Sequence, residues 1–165
     1  LPTAIPTVNA GETIESVAWG NVIKAFIDYL HTGRTVASST YVGSANLTTT
    51  LATWADADAT NLIVTLTPTS TRVRVTFIFN ATAAGGYAEF DIYSVGLTAR
   101  FGDATHGITS CIQNAQSQIK VEALFTGLTA NVAQSFKLQY RSVTAGQTST
   151  IYNNAYPVTM IAEEC

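Results

Sequence analysis

Two segments far apart in this chain alternate apolar and polar residues with a period of two, and they restrict its fold more than any other feature. In the first, Val73, Val75, Phe77 and Phe79 fall on one face, and Arg72, Arg74, Thr76 and Asn80 on the other. In the second, Phe136, Leu138 and Tyr140 alternate with Ser135, Lys137, Gln139 and Arg141. Successive side chains of a strand point to opposite faces, so each segment has one face for a core and one for water or a partner.

The rest of the chain from Tyr41 onward follows the same pattern in shorter pieces. The expected strands are Leu47–Thr53, Leu62–Thr67, Val73–Ala81, Tyr87–Val95, Thr98–Phe101, Gly107–Ile112, Gln118–Phe125, Gln134–Val143, Ser149–Tyr152 and Val158–Ala162. Turn-forming residues separate them, among them Pro68-Thr69-Ser70, Gly85-Gly86, Gly102-Asp103, Asn114, Gly127, Asn131, Gly146 and Asn153-Asn154. Many short alternating strands at such spacing imply an all-β antiparallel sandwich or barrel. No helix-length period interrupts them, which excludes a parallel α/β sheet.

The first 44 residues read differently. Leu1–Ala10 holds two prolines and no periodicity, as an extended arm would. Trp19, Ile23, Phe26 and Leu30 then recur at helical spacing, with Glu12 and Glu15 near the start and His31 and Gly33 near the end. A helix this short needs a surface on which to bury its stripe. Two readings follow: packing on its own domain, or attachment and self-association through Trp19, Ile23, Phe26 and Leu30, which is favoured because the stretch lies outside the strand array. A Thr/Ser/Gly-rich connector, His31–Ser44, joins it to the strands. The expected plan is an arm, anchoring helix and connector over 1–44 and a β head over 45–165.

Composition narrows function mainly by exclusion. Only 12% of residues are charged, and roughly one residue in six is Thr, whose branched side chain suits strands. A net charge of −3, with eight Lys and Arg spread along the sequence, argues against the basic patch that neutralising phosphates needs, so nucleic acid is not an expected partner. No apolar run is long enough to cross a membrane as a helix. Cys111 and Cys165 make no disulfide framework; a strand thiol and an incidental one are expected, with a bridge between them as the alternative.

No catalytic constellation stands out, and no enzyme activity, cofactor or metal is expected. Zinc-ligand spacing, a phosphate-binding glycine loop and a Gly-x-Ser-x-Gly elbow are all missing. Asp103, His106 and Ser110 are residue types of a catalytic triad within one turn region, but a triad is defined by geometry rather than proximity in sequence. Asp56 and Asp58, with Asn61, offer oxygens to calcium or simply form a polar turn. Tyr87, Tyr93, Tyr152 and Tyr156 suit sugar stacking or interface packing. Aromatic or branched residues on the outward faces, notably Ile78, Tyr93 and Ile161, mark a candidate subunit interface together with Arg74.

Val8-Asn9-Ala10-Gly11-Glu12-Thr13-Ile14 followed by Trp19-Gly20-Asn21-Val22 resembles the opening of small tailed-phage virion proteins. Trp54-Ala55-Asp56, Thr60–Pro68, Val73–Phe79, Thr126–Thr129, Phe136–Arg141 and Pro157–Glu163 resemble their β-rich heads, which are similar to C1q/TNF-like trimeric jelly rolls. That resemblance implies a homotrimer with one sheet of each protomer facing the three-fold axis, carried on the virion surface by the N-terminal arm and helix. It also implies other virion proteins, such as a major capsid or tail protein, as partners. Within it, a capsid decoration protein is the first expectation, because shaft repeats are lacking. A short tail-fibre tip that recognises a host receptor or glycan is the second, and a bacterial lectin-like adhesin the third.

Overall fold

The alternating segments do become the central strands of two facing sheets. The computed structural model describes residues 35–103, 105–111 and 114–165, and in them the chain forms twelve strands. These are β1 (Val36–Tyr41), β2 (Leu47–Thr49), β3 (Ala55–Asp56), β4 (Ile63–Leu66), β5 (Arg72–Ala83) and β6 (Ala88–Ser94), followed by β7 (Ala99–Arg100), β8 (Thr109–Cys111), β9 (Ser117–Thr126), β10 (Gln134–Ser142), β11 (Ser149–Ile151) and β12 (Val158–Glu164). Every pairing among them is antiparallel.

Several strands are halves of one row. Strands β12 and β11 pair with successive parts of β5, and β1 and β2 flank them in turn. The first sheet therefore runs β1/β2, β12/β11, β5, β9, and the second runs β3/β4, β10, β6, β7/β8. The chain crosses between the sheets at β2–β3, β4–β5, β5–β6, β8–β9, β9–β10 and β10–β11, which is the connectivity of a jelly roll.

The core lies where the two apolar faces meet. Val73, Val75, Phe77 and Phe79 from β5 and Ile119, Val121 and Phe125 from β9 pack against Phe90 and Ile92 from β6 and Phe136, Leu138 and Tyr140 from β10. Two ring pairs bridge the sheets: Phe79 meets Phe90 edge-on at 4.9 Å, and Phe125 meets Phe136 at 5.0 Å. Burial pushes the Tyr140 hydroxyl up to about 12, so this tyrosine stays neutral.

Each strand expected from the sequence has a counterpart, with ends shifted by a few residues. Two were missed. Val36–Tyr41, read as connector, is β1, and the compact unit begins at Thr35. Its sequence VASSTY has little apolar content because it is an edge strand, largely exposed. Ala55–Asp56 (β3) is too short to show a period. The expected arm and the helix bearing Trp19, Ile23, Phe26 and Leu30 lie outside the described residues.

Candidate functional site

The outer faces of the two sheets have opposite characters. On the second sheet, Glu89 and Asp91 point outward from β6, yet both are buried. The segment after β7 explains this. Phe101 N–H donates to the Ile92 carbonyl at 3.0 Å and Ile108 N–H to the Phe90 carbonyl at 2.9 Å, laying 101–103 and 105–108 along β6. Gly102 N–H donates to Asp91 at 3.0 Å, and His106 Nδ1 lies 3.0 Å from Glu89 Oε1. From the other side Arg141 of β10 reaches Glu89 Oε2 with Nε at 2.8 Å and Nη2 at 2.5 Å, and it also donates to the Thr105 carbonyl.

Trp54 completes this roof. Two guanidinium groups lie against its ring, Arg100 at 5.1 Å and Arg141 at 4.9 Å. Gly107 lets the ring settle: a Cβ there would stand 2.6 Å from Trp54 Cη2 and 2.4 Å from the Phe90 carbonyl oxygen. Burial pushes the Asp91 carboxyl above its ordinary range, against the opposing pull of the Gly102 and Ile92 N–H groups and Arg100. Beside it, Lys137 Nζ and Gln139 Nε2 hold Asp56 at 2.9 and 2.8 Å. The part of the second sheet's outer face that bears Glu89 and Asp91 is thus covered by the protein's own residues, while Tyr93, Lys137 and Gln139 stay partly exposed.

The first sheet presents a regular lattice instead. Register places Val36, Glu163, Arg74 and Leu124 in one row, Ser38, Ile161, Thr76 and Glu122 in the next, and Thr40, Thr159, Ile78 and Lys120 in a third. Its charges lie beside opposite charges: Arg74 and Glu163 meet at 3.1 Å, Lys120 and Glu122 at 2.7 Å. Exposed pairs of this kind contribute only about 0–1 kcal/mol, so their main effect is to neutralise the face. The Lys120 ammonium also holds the Glu122 carboxyl below its usual range. Among the described residues no loop is strapped over this lattice.

Of the four residues expected at a subunit interface, Arg74, Ile78 and Ile161 come together on this face. Tyr93 does not join them. It points outward from β6 in the second sheet, where its register neighbours are Lys137 and Arg100. Sequence alternation marks a residue as outward without saying which of two sheets it leaves.

The remaining sequence candidates have local structural roles. Asp103 accepts the N–H groups of Thr105 and His106, while the His106 ring turns to Glu89, so Asp103, His106 and Ser110 form no triad. Asp58 Oδ1 accepts Thr60 and Asn61 N–H at 2.9 Å each and closes a turn; burial raises its carboxyl, but the Asn61 and Thr60 hydrogen bonds outweigh that and hold it low. Asp56 faces Lys137 instead, so the two aspartates do not converge on an ion. Among the described residues no group of three or more His, Cys, Asp and Glu is arranged to hold a metal. Cys111 is buried with its thiol pushed up by burial, and Cys165 is partly exposed; both are free thiols.

No protein-family model matches this chain, and no curated protein matches it.

Proposed function

We propose that this protein is a non-enzymatic structural protein of a phage virion: a trimeric surface knob, attached through its N-terminal arm and helix, that decorates and stabilises the capsid shell. The observation that carries this reading is the contrast between the two outer faces. One is roofed in part by 101–103, 105–108, Trp54 and two arginines; the other is a lattice of Val, Ile, Leu, Thr and Ser whose four charged members, Arg74 with Glu163 and Lys120 with Glu122, are paired, which suits it to burial against copies of itself. A two-sheet jelly roll using one sheet face for self-association is also what the resemblance to C1q/TNF-like heads implies.

Light scattering on the full chain tests the trimer: three times 17.5 kDa is expected, and a monomer at high concentration refutes it. Removing residues 1–33 is expected to abolish particle attachment and leave the β head folded. Imaging the knob on the virion then separates a capsid position from a tail position.

A short tail-fibre tip is the second reading, favoured by exposed Leu51 and Tyr87. Both flank the exit of β10, where Ser142 N–H bonds to the Leu51 carbonyl and Val143 N–H to the Tyr87 carbonyl, at the end of the sandwich remote from Thr35. Binding to host cells or a glycan array, reduced by Tyr87→Ala, supports this second reading over decoration.

A further inference from the structure

Each sheet has two edge rows, and three of the four are broken into short pieces. One consists of β1 with six residues and β2 with three, another of β3 with two and β4 with four, and another of β7 with two and β8 with three. Interrupted edges are a common protection against unwanted strand pairing. Strand β9 is the exception. Its ten residues keep one continuous register with β5, from Ser117 opposite Ala81 to Thr126 opposite Arg72, without a bulge or a proline. Among the described residues β5 is its only strand partner, and no backbone hydrogen bond leaves Ser117–Thr126 for another element. Phe101, 48% exposed, stands at the same edge with its ring 5.6 Å from that of Phe125.

The charges on this strand select what it would pair with. Its outward face reads Gln118, Lys120, Glu122, Leu124 and Thr126. Antiparallel pairing places residues of equal parity opposite one another on one face, so only alternate registers keep the apolar face toward the core. A two-fold axis at Val121 sets Lys120 opposite Glu122 of the second copy and Glu122 opposite its Lys120. Moving the axis one residue either way sets Lys120 against Lys120 or Glu122 against Glu122, and like charges directly opposite are destabilising. The strand is therefore complementary to itself in one central register.

We infer that β9 pairs with β9 of a second copy, antiparallel about Val121, joining the two first sheets into one continuous sheet. The contact runs along the hydrogen-bonding edge of the sheet, although Lys120 and Glu122, which select its register, also lie at the margin of the outer-face lattice. Through it one knob couples to a neighbouring knob, whatever assembly the outer face makes.

The test uses two charge variants of the full chain, Lys120→Glu and Glu122→Lys, followed by sedimentation and by hydrogen exchange across β9. Each variant alone is expected to weaken the association by roughly tenfold or more, since both cross-strand pairs become like-charged. Mixing the two variants is expected to restore it, because a chain with two glutamates then faces one with two lysines. Within each chain residues 120 and 122 remain like-charged, so rescue by mixing reports contact between copies. In the wild type, β9 amides should gain protection as protein concentration rises. Unchanged association of the single variants, failure of the mixture to recover, or concentration-independent exchange in β9 would each overturn the pairing.

Discussion

Arg141 holds Glu89 and Trp54 at once: its Nε and Nη2 donate to Glu89 Oε2 at 2.8 and 2.5 Å, while its guanidinium carbon lies 4.9 Å from the centre of the Trp54 ring. Both members of the ion pair are largely removed from water, with side-chain exposures of 17% and 5%. Removing one partner of such a pair leaves the other charge buried and uncompensated, a loss of about 3–5 kcal/mol in general. Arg141→Met is therefore expected to destabilise the head by about 3 kcal/mol in urea unfolding. It should also shift the emission of Trp54 to the red in a Trp19→Phe background, since the ring loses one of its two cationic neighbours. Unchanged emission would show that Arg100 and Gly107 suffice to seat the ring.

Asp91 carries a pH dependence of definite sign. Burial raises its folded-state pKa above the unfolded value of about 4. Its contribution to stability is thus fully present below that value and is lost as pH rises through the raised one. Asn at this position keeps an oxygen to accept the Gly102 and Ile92 N–H groups but has no charge to desolvate. The stability of Asp91→Asn relative to the wild type is expected to increase as pH rises from about 4 toward neutrality. Urea midpoints across that range measure it; a difference that stays flat or moves the other way overturns the assignment.

The central strands could be read from the sequence because their period is local. Val73, Val75, Phe77 and Phe79 state their burial within one segment, as do Phe136, Leu138 and Tyr140. The roof on the second sheet could not be read so. Glu89 and Asp91 alternate with Phe90 as solvent-facing residues would, and nothing near them shows that 101–103, 105–108 and Trp54 cover them. The partners of Glu89, Arg141 and His106, come from separate parts of the chain. The same limit separated Tyr93 from Ile78 and Ile161, and hid the edge strand Val36–Tyr41, which is identified by its pairing with Val158–Glu163 rather than by its composition.

Two glycines at surface turns are required for different reasons, and alanine distinguishes them. At Gly127 the backbone sits at φ +76°, and an added Cβ would meet nothing within 4 Å. Gly127→Ala should cost about 1 kcal/mol, from backbone strain alone. At Gly107 the added Cβ would collide with the Phe90 carbonyl oxygen and the Trp54 ring. Gly107→Ala should cost about 1–3 kcal/mol and, unlike Gly127→Ala, should perturb Trp54 fluorescence. Equal effects on both stability and fluorescence would contradict the roof geometry.

The proposed subunit interface makes a prediction in which one residue expected there serves as the control. Ile161 lies between Ser38 and Thr76 on the outer face of the first sheet, one row from Ile78 and Arg74. Placing a carboxylate at this position leaves the sandwich core untouched but puts an unpaired charge into any surface buried on association. Ile161→Asp is expected to lower the mass in solution from three chains toward one while the far-ultraviolet dichroism of the head is retained. Tyr93→Asp adds the same charge to the second sheet, beside Lys137 and Arg100, and should leave the assembly intact. The reverse pattern, with Tyr93→Asp dissociating and Ile161→Asp neutral, would move the interface to the roofed sheet and remove the main support for the trimeric knob.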